Sequence, residues 1–122
     1  MKPIIAIFLG GGIGSVCRYL LGMSITRHLN TDFPAGTLVV NITGCFLIGL
    51  LYGLATRHSW LNIEWRFFLI TGICGGYTTF SAFSYEAISL VRQGNYLFFL
   101  LYVTSSVVIG LLATVGGAAV AR

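Results

Sequence analysis

The chain has 122 residues, of which 57% are hydrophobic and only 8% charged, with a formal net charge of +4 and a mean hydropathy of +0.91. Soluble domains carry roughly a quarter of their residues charged, and a fold of this size has no interior large enough to hide so much apolar surface, so the solvent must be lipid. The seven basic residues are scattered over the ends of apolar segments and form no clustered basic face, which excludes nucleic-acid binding.

The apolar runs are continuous and do not alternate with period two, which argues for helices and against a strand barrel. Four segments of about the 20 residues needed to cross a bilayer are expected: about 3–27, 34–56, 66–91 and 96–121. Together they form one transmembrane domain. The run after Lys2 passes any usual cleavage distance, is interrupted by Arg18 and meets no small-residue cleavage site, so it is expected to remain as the first span. Cys17, Cys45 and Cys74 each lie in apolar sequence without metal-like pairing and read as small buried thiols.

In the first segment Gly10, Gly14, Arg18 and Gly22 repeat every fourth residue and share one face. Glycines so spaced let a second helix approach closely. Arg18 sits on that same face, roughly 21 Å along the helix from Ile4. Two readings stand: an arginine snorkelling to the far headgroups, or positive potential at the mouth of an anion path.

The second segment opens at Pro34, which suits a first helical turn. Thr37 and Asn41 lie one turn apart on one face, with Gly44 beside them. The Asn41 amide is costly in hydrocarbon unless hydrogen-bonded. It can bond another helix or present an N–H to a passing anion. Trp60 and Trp65 in the following connection favour the membrane interface.

The third segment contains the stretch from Gly72 to Ser84, with three glycines and four Ser or Thr hydroxyls among thirteen residues. Irregular backbone in a membrane is tolerated only where protein buries it or it lines a polar cavity, so this predicts a helix broken mid-span at a functional site. A break exposes carbonyls on one half and N–H groups on the other. Phe80 and Phe83, at i and i+3, either pack against neighbours or turn their positive ring edges toward an anion. Ser81 adds a hydroxyl between them. Glu86, towards the segment's end, reads as an interface residue.

Lys2, Arg57, Arg66 and Arg122 gather at one end of the spans and Arg27 and Arg92 at the other. So weak a bias lets a chain insert either way up. Four short helices enclose little volume, so a path through them calls for a second copy.

Three motifs, Gly10-Gly-Gly-Ile-Gly-Ser-Val-Cys-Arg18, Gly36-Thr-Leu-Val-Val-Asn-Ile-Thr-Gly44 and Gly75-Gly-Tyr-Thr-Thr-Phe-Ser-Ala-Phe83, together resemble the Fluc, or CrcB, family of fluoride channels over essentially the whole chain. The resemblance implies an all-α, four-helix subunit in an antiparallel, dual-topology homodimer with two fluoride pathways, resident in the cell (inner) membrane. It implies pore roles for Asn41, Phe80 and Phe83, with Arg18 as the basic residue of the first motif. Tyr102 and Ser106 on the fourth helix resemble the start of a polar track, and Thr37 and Ser81 would be further donors. The carbonyls of Gly75 and Thr78 match positions that hold a structural Na+ at the dimer centre. The family usually has threonine where Ala82 stands, so a hydroxyl next to the pore phenylalanines is expected to be missing, and Gly110 falls where the track would continue.

No titratable acid is expected mid-span, which favours passive conduction. A small four-helix multidrug exporter would need an acidic residue in its first helix, and none occurs before Asp32. A non-transport scaffold explains the glycine faces but leaves the polar residues of three helices without a role. An enzyme is excluded by the lack of any acid–base pair, triad or metal cluster.

Overall fold

The computed structural model describes residues Met1–Arg122. It is entirely helical: α1 (Lys2–His28), α2 (Ala35–Arg57), α3 (Ile63–Arg66), a π-helical stretch (Phe67–Cys74), α4 (Gly75–Tyr77), α5 (Phe80–Arg92) and α6 (Tyr96–Val120). Four stretches of 27, 23, 30 and 25 residues, the third being Ile63–Arg92, are long and apolar enough to cross a membrane.

Local chemistry sets the ends of these elements. Pro3 lies in the first turn of α1, and Arg27 and His28 in its last, where positive charge suits the helix dipole. Asn62 caps α3 by accepting from the N–H groups of Glu64 and Trp65, and Asn95 caps α6 by accepting from Phe98. Between α5 and α6 the chain reverses through Gly94 at φ 76°, a left-handed conformation that favours glycine.

The helices pack as two pairs, α1 on the π-helical stretch and α4, and α2 on α6. Both pairs are in backbone contact at glycine. A Cβ on Gly10 would overlap the Phe68 carbonyl oxygen, one on Gly14 that of Ile73, and one on Gly76 that of Gly11. In the second pair, Gly49 meets the Thr114 carbonyl and Gly117 that of Phe46. Glycine spacing in the first segment therefore encodes a packing face, where dispersion and close backbone approach substitute for the hydrophobic effect that lipid does not supply.

Only 17 of 122 residues are buried, and no charged residue is among them. Large apolar side chains such as Phe8, Leu100, Leu111 and Val120 point outward. A soluble protein would bury these; in a lipid-solvated chain they face acyl chains. The small core, Ala87, Leu90 and Tyr102 with Phe33, Phe83 and Phe98 around it, holds α5 against α6 and α2. Its position fixes the Tyr102 ring directly behind Phe83.

Candidate functional site

Helix α4 stops at Tyr77, and the backbone at Thr78 (φ −84°, ψ 156°) and Thr79 (φ −150°, ψ 115°) is extended before α5 begins. The turn preceding this point is already loosened. Gly75 N–H reaches back to the Ile70 carbonyl, an i to i+5 bond, the wide-turn pattern that recurs at functional sites.

Two extended residues leave main-chain groups that neither helix can satisfy, and side chains take them up. Asn41 donates from Nδ2 to the Thr79 carbonyl at 3.0 Å and accepts the Thr79 N–H on Oδ1 at 2.9 Å. Thr79 Oγ1 accepts from the Ala82 N–H at 3.1 Å, capping α5, and Thr78 Oγ1 donates to the Cys74 carbonyl at 3.0 Å. Both readings of Asn41 meet here. Its amide bonds another helix, yet one of its two N–H donors is left over.

Arg18 does not snorkel. Its Nε donates to the Gly76 carbonyl at 3.1 Å, beside Ser15 Oγ at 3.4 Å on the same oxygen. The glycine face of α1 carries the guanidinium inward to the end of α4, where helix carbonyls attract a cation.

Two clefts flank Thr79. The first, about 320 Å³, is lined by Asn41, Cys45, Phe80, Phe83 and Ser106 among others. Phe80 stands 78% exposed at this cleft; it is not a core side chain. Its ring centroid lies 5.6 Å from Phe83, tilted at 49°, and Phe83 lies 5.1 Å from Tyr102 at the same tilt. The Ser106 and Tyr102 hydroxyls are sealed from solvent and lack a hydrogen-bond partner of good geometry within the chain; Thr37 and Glu86 are the polar groups beside the Tyr102 hydroxyl. Buried hydroxyls without partners are costly, and these two lie one turn apart on α6.

The second cleft, about 250 Å³, is lined by Arg18, Tyr19, Thr37, Thr79 and Ala82 among others. Ala82 therefore faces the arginine, and the expected gap beside the phenylalanines is elsewhere: helix α5 turns position 82 away from Phe80 and Phe83. Ser81 lines neither cleft. It is exposed, with Oγ 3.3 Å from Thr79 Oγ1.

Glu86 finds its partner in the first turn of α2. It is half-buried against α2, where Thr37 Oγ1 donates to its carboxylate at 2.6 Å. Thr37 thus gives its proton to Glu86 and is no free donor in this arrangement. This pairing is invisible along the chain because the residues are 49 positions apart. The only sequence signal was that Glu86 is the sole acid between Glu64 and the C-terminus.

Residues 5–118 match the family described as CrcB-like protein, Camphor Resistance (CrcB). The chain is 49% identical over 122 residues to the Fluoride-specific ion channel FluC of Flavobacterium psychrophilum, covering 100% of this chain and 98% of that protein. It is 50% identical over 117 residues to the protein of that name from Phocaeicola vulgatus, covering 96% of each. A third, from Solibacter usitatus, is 47% identical over 116 residues, covering 95% of each. These relatives are named as ion channels, a class apart from enzymes.

Proposed function

The chain belongs to the CrcB-like family, and from that premise we propose that it is a passive, fluoride-selective channel that exports fluoride across the cell (inner) membrane. The observation that carries this reading is the first cleft, where Asn41, Phe80, Phe83 and Ser106 converge on the extended residues Thr78 and Thr79.

Fluoride is small and strongly hydrated, so a dry apolar pore would reject it. A selective path replaces its water with hydrogen-bond donors without holding the ion too tightly to leave. The spare N–H of Asn41 and the unpartnered hydroxyls of Ser106 and Tyr102 are such donors. Between them the rings of Phe80 and Phe83 offer positively polarised edges, which stabilise an anion weakly. Arg18 raises the positive potential on the far side of Thr79. Glu86, held by Thr37, lines neither cleft but lies beside the Tyr102 hydroxyl; it is the one acid near the path, and we read it as anchored by Thr37 and not as a proton carrier. Export then runs down the fluoride gradient that forms when the neutral acid enters a cell and ionises.

We read the functional unit as an antiparallel homodimer of dual topology with two such paths. Phe80 is open on the surface of a single chain, and Gly75 beside the break is exposed as well. The residues present also fit a structural Na+. None of the chain's hydrogen bonds outside its helices ends on the carbonyl of Gly75 or Thr78, and these two oxygens are free to coordinate. When bound, the cation would supply positive charge beside the break and tie two copies together.

The test is fluoride efflux from liposomes holding the purified protein, followed with a fluoride electrode. Efflux well above empty vesicles, with chloride retained, is expected. Release no faster than from empty vesicles, or equal passage of chloride, would sink the reading.

A further inference from the structure

Helix α6 carries its sealed hydroxyls in a stripe, Tyr102 and Ser106 one turn apart, and the next position on that stripe is Gly110. Glycine has no side chain, so α6 cannot continue the row of donors itself. The opposite helix borders that place. A Cβ at Gly110 would meet Cys45 Sγ at 3.6 Å, an ordinary van der Waals contact, so the thiol is the side chain of α2 that adjoins the place where position 110 has none. Cys45 is one turn beyond Asn41 on α2 and lines the same cleft as Asn41, Phe80, Phe83 and Ser106. The unpartnered Ser106 hydroxyl in that lining independently marks the cleft as one that takes a polar guest. One turn further along α2, Gly49 sits against the Thr114 carbonyl and the two helices are in backbone contact. Cys45 is thus the last side-chain polar group on α2 before the pair closes.

We propose that the Cys45 thiol is the third donor of the ion path, standing in for the side chain that Gly110 lacks. This rests on the channel reading above. A thiol is a weaker donor than a hydroxyl, so it receives the anion after Ser106 and releases it readily. The same position makes the path of this chain sensitive to thiol reagents, which a hydroxyl-lined path would not be.

The test reconstitutes the full chain as wild type, Cys45→Ser, Cys45→Ala, and Cys45→Ala with either Gly110→Ser or Gly110→Ala. Fluoride efflux is recorded before and after methyl methanethiosulfonate. In that reaction the thiol loses its proton to water, the thiolate attacks the sulfenyl sulfur, a disulfide forms and methanesulfinate leaves. Cys17, exposed in the structure and not buried as its apolar sequence suggests, and the buried Cys74 are present in every variant, so their modification is common to all. Cys45→Ser should conduct at least as fast as wild type, and Cys45→Ala about fivefold more slowly, the loss of one weak donor. Adding Gly110→Ser to Cys45→Ala should restore the rate, and only wild type should be blocked by the reagent. Cys45→Ala with Gly110→Ala refills the space without a donor and should stay slow; rescue by serine but not by alanine at position 110 is an outcome that a purely packing role for Cys45 would not produce. If Cys45→Ala conducts like wild type, or if block persists in Cys45→Ser, the proposal falls while the channel reading stands. If wild type itself passes no fluoride, both fall.

Discussion

Asn41 grips both backbone groups of Thr79, giving an N–H to the carbonyl at 3.0 Å and taking the amide N–H at 2.9 Å. A helix from one part of the chain thereby completes the hydrogen bonding of a break in another, 38 residues away. The pair explains how extended backbone persists within a membrane-length helix, where each unsatisfied main-chain group would cost several kcal/mol.

Asn41→Leu should uncouple α2 from the break. Two main-chain groups lose their partners, at about 1–3 kcal/mol each, so a lower melting temperature in detergent and loss of fluoride efflux are expected together. Asn41→Asp keeps an acceptor for the Thr79 N–H but brings negative charge to the cleft. It should melt closer to wild type than Asn41→Leu while still failing to conduct; efflux at the wild-type rate would remove Asn41 from the path.

Ser106→Ala separates stability from conduction. Its hydroxyl is sealed and unpartnered, so removing it should leave stability unchanged or raise it by up to about 1 kcal/mol, read as an equal or slightly higher melting temperature. Fluoride efflux should fall several-fold in the same protein. A drop in both would mean the hydroxyl serves the fold.

Gly14→Ala and Gly49→Ala should each destabilise, since the added methyl would overlap a carbonyl oxygen of the facing helix. Overpacking of this kind costs about 1–3 kcal/mol. Gly12→Ala, where nothing lies within 4 Å, is the comparison and should melt like wild type.

Thr37→Val should strand the Glu86 carboxylate that the threonine now serves at 2.6 Å. Hydrogen bonds to charged groups contribute about 1.5–3 kcal/mol, so a clear fall in melting temperature is expected. Thr37→Ser keeps the hydroxyl and should retain most of it; equal melting of the valine and serine variants would show that the bond contributes nothing.

Arg18→Lys keeps the charge near the Gly76 carbonyl and should preserve efflux, whereas Arg18→Gln should lower it. If the role is long-range attraction, the deficit of the glutamine variant should shrink as ionic strength rises, measured as initial efflux over a salt series.

Much of this architecture is readable from the chain because a membrane imposes few solutions. Apolar length alone yields four spans, and glycines every fourth residue reveal a packing face before its partner is known. The cluster of glycines and hydroxyls from Gly72 to Ser84 marks irregular backbone by composition. Asn41, Phe80, Phe83 and Ser106 could each be singled out as polar or aromatic residues on one face, and they do share a cleft. The placement of Ser81 outside both clefts and of Ala82 in the second was not readable. Their direction depends on how α5 is rotated after the break, and the extended angles at Thr78 and Thr79 set that rotation.

The sequence by itself determined the solvent, the number of spans, the packing face of α1 and the position of the irregular stretch, because hydrocarbon penalises charge and unsatisfied backbone wherever they occur. Tertiary structure alone decided which groups meet. It joined Asn41 to Thr79, drew Arg18 inward to Gly76 and gave the Thr37 proton to Glu86. It also laid the Cys45 thiol beside Gly110. Each of these pairs joins parts of the chain far apart in sequence, so its distance follows from the rotation of the helices and their close glycine contacts, which no periodicity along one helix encodes.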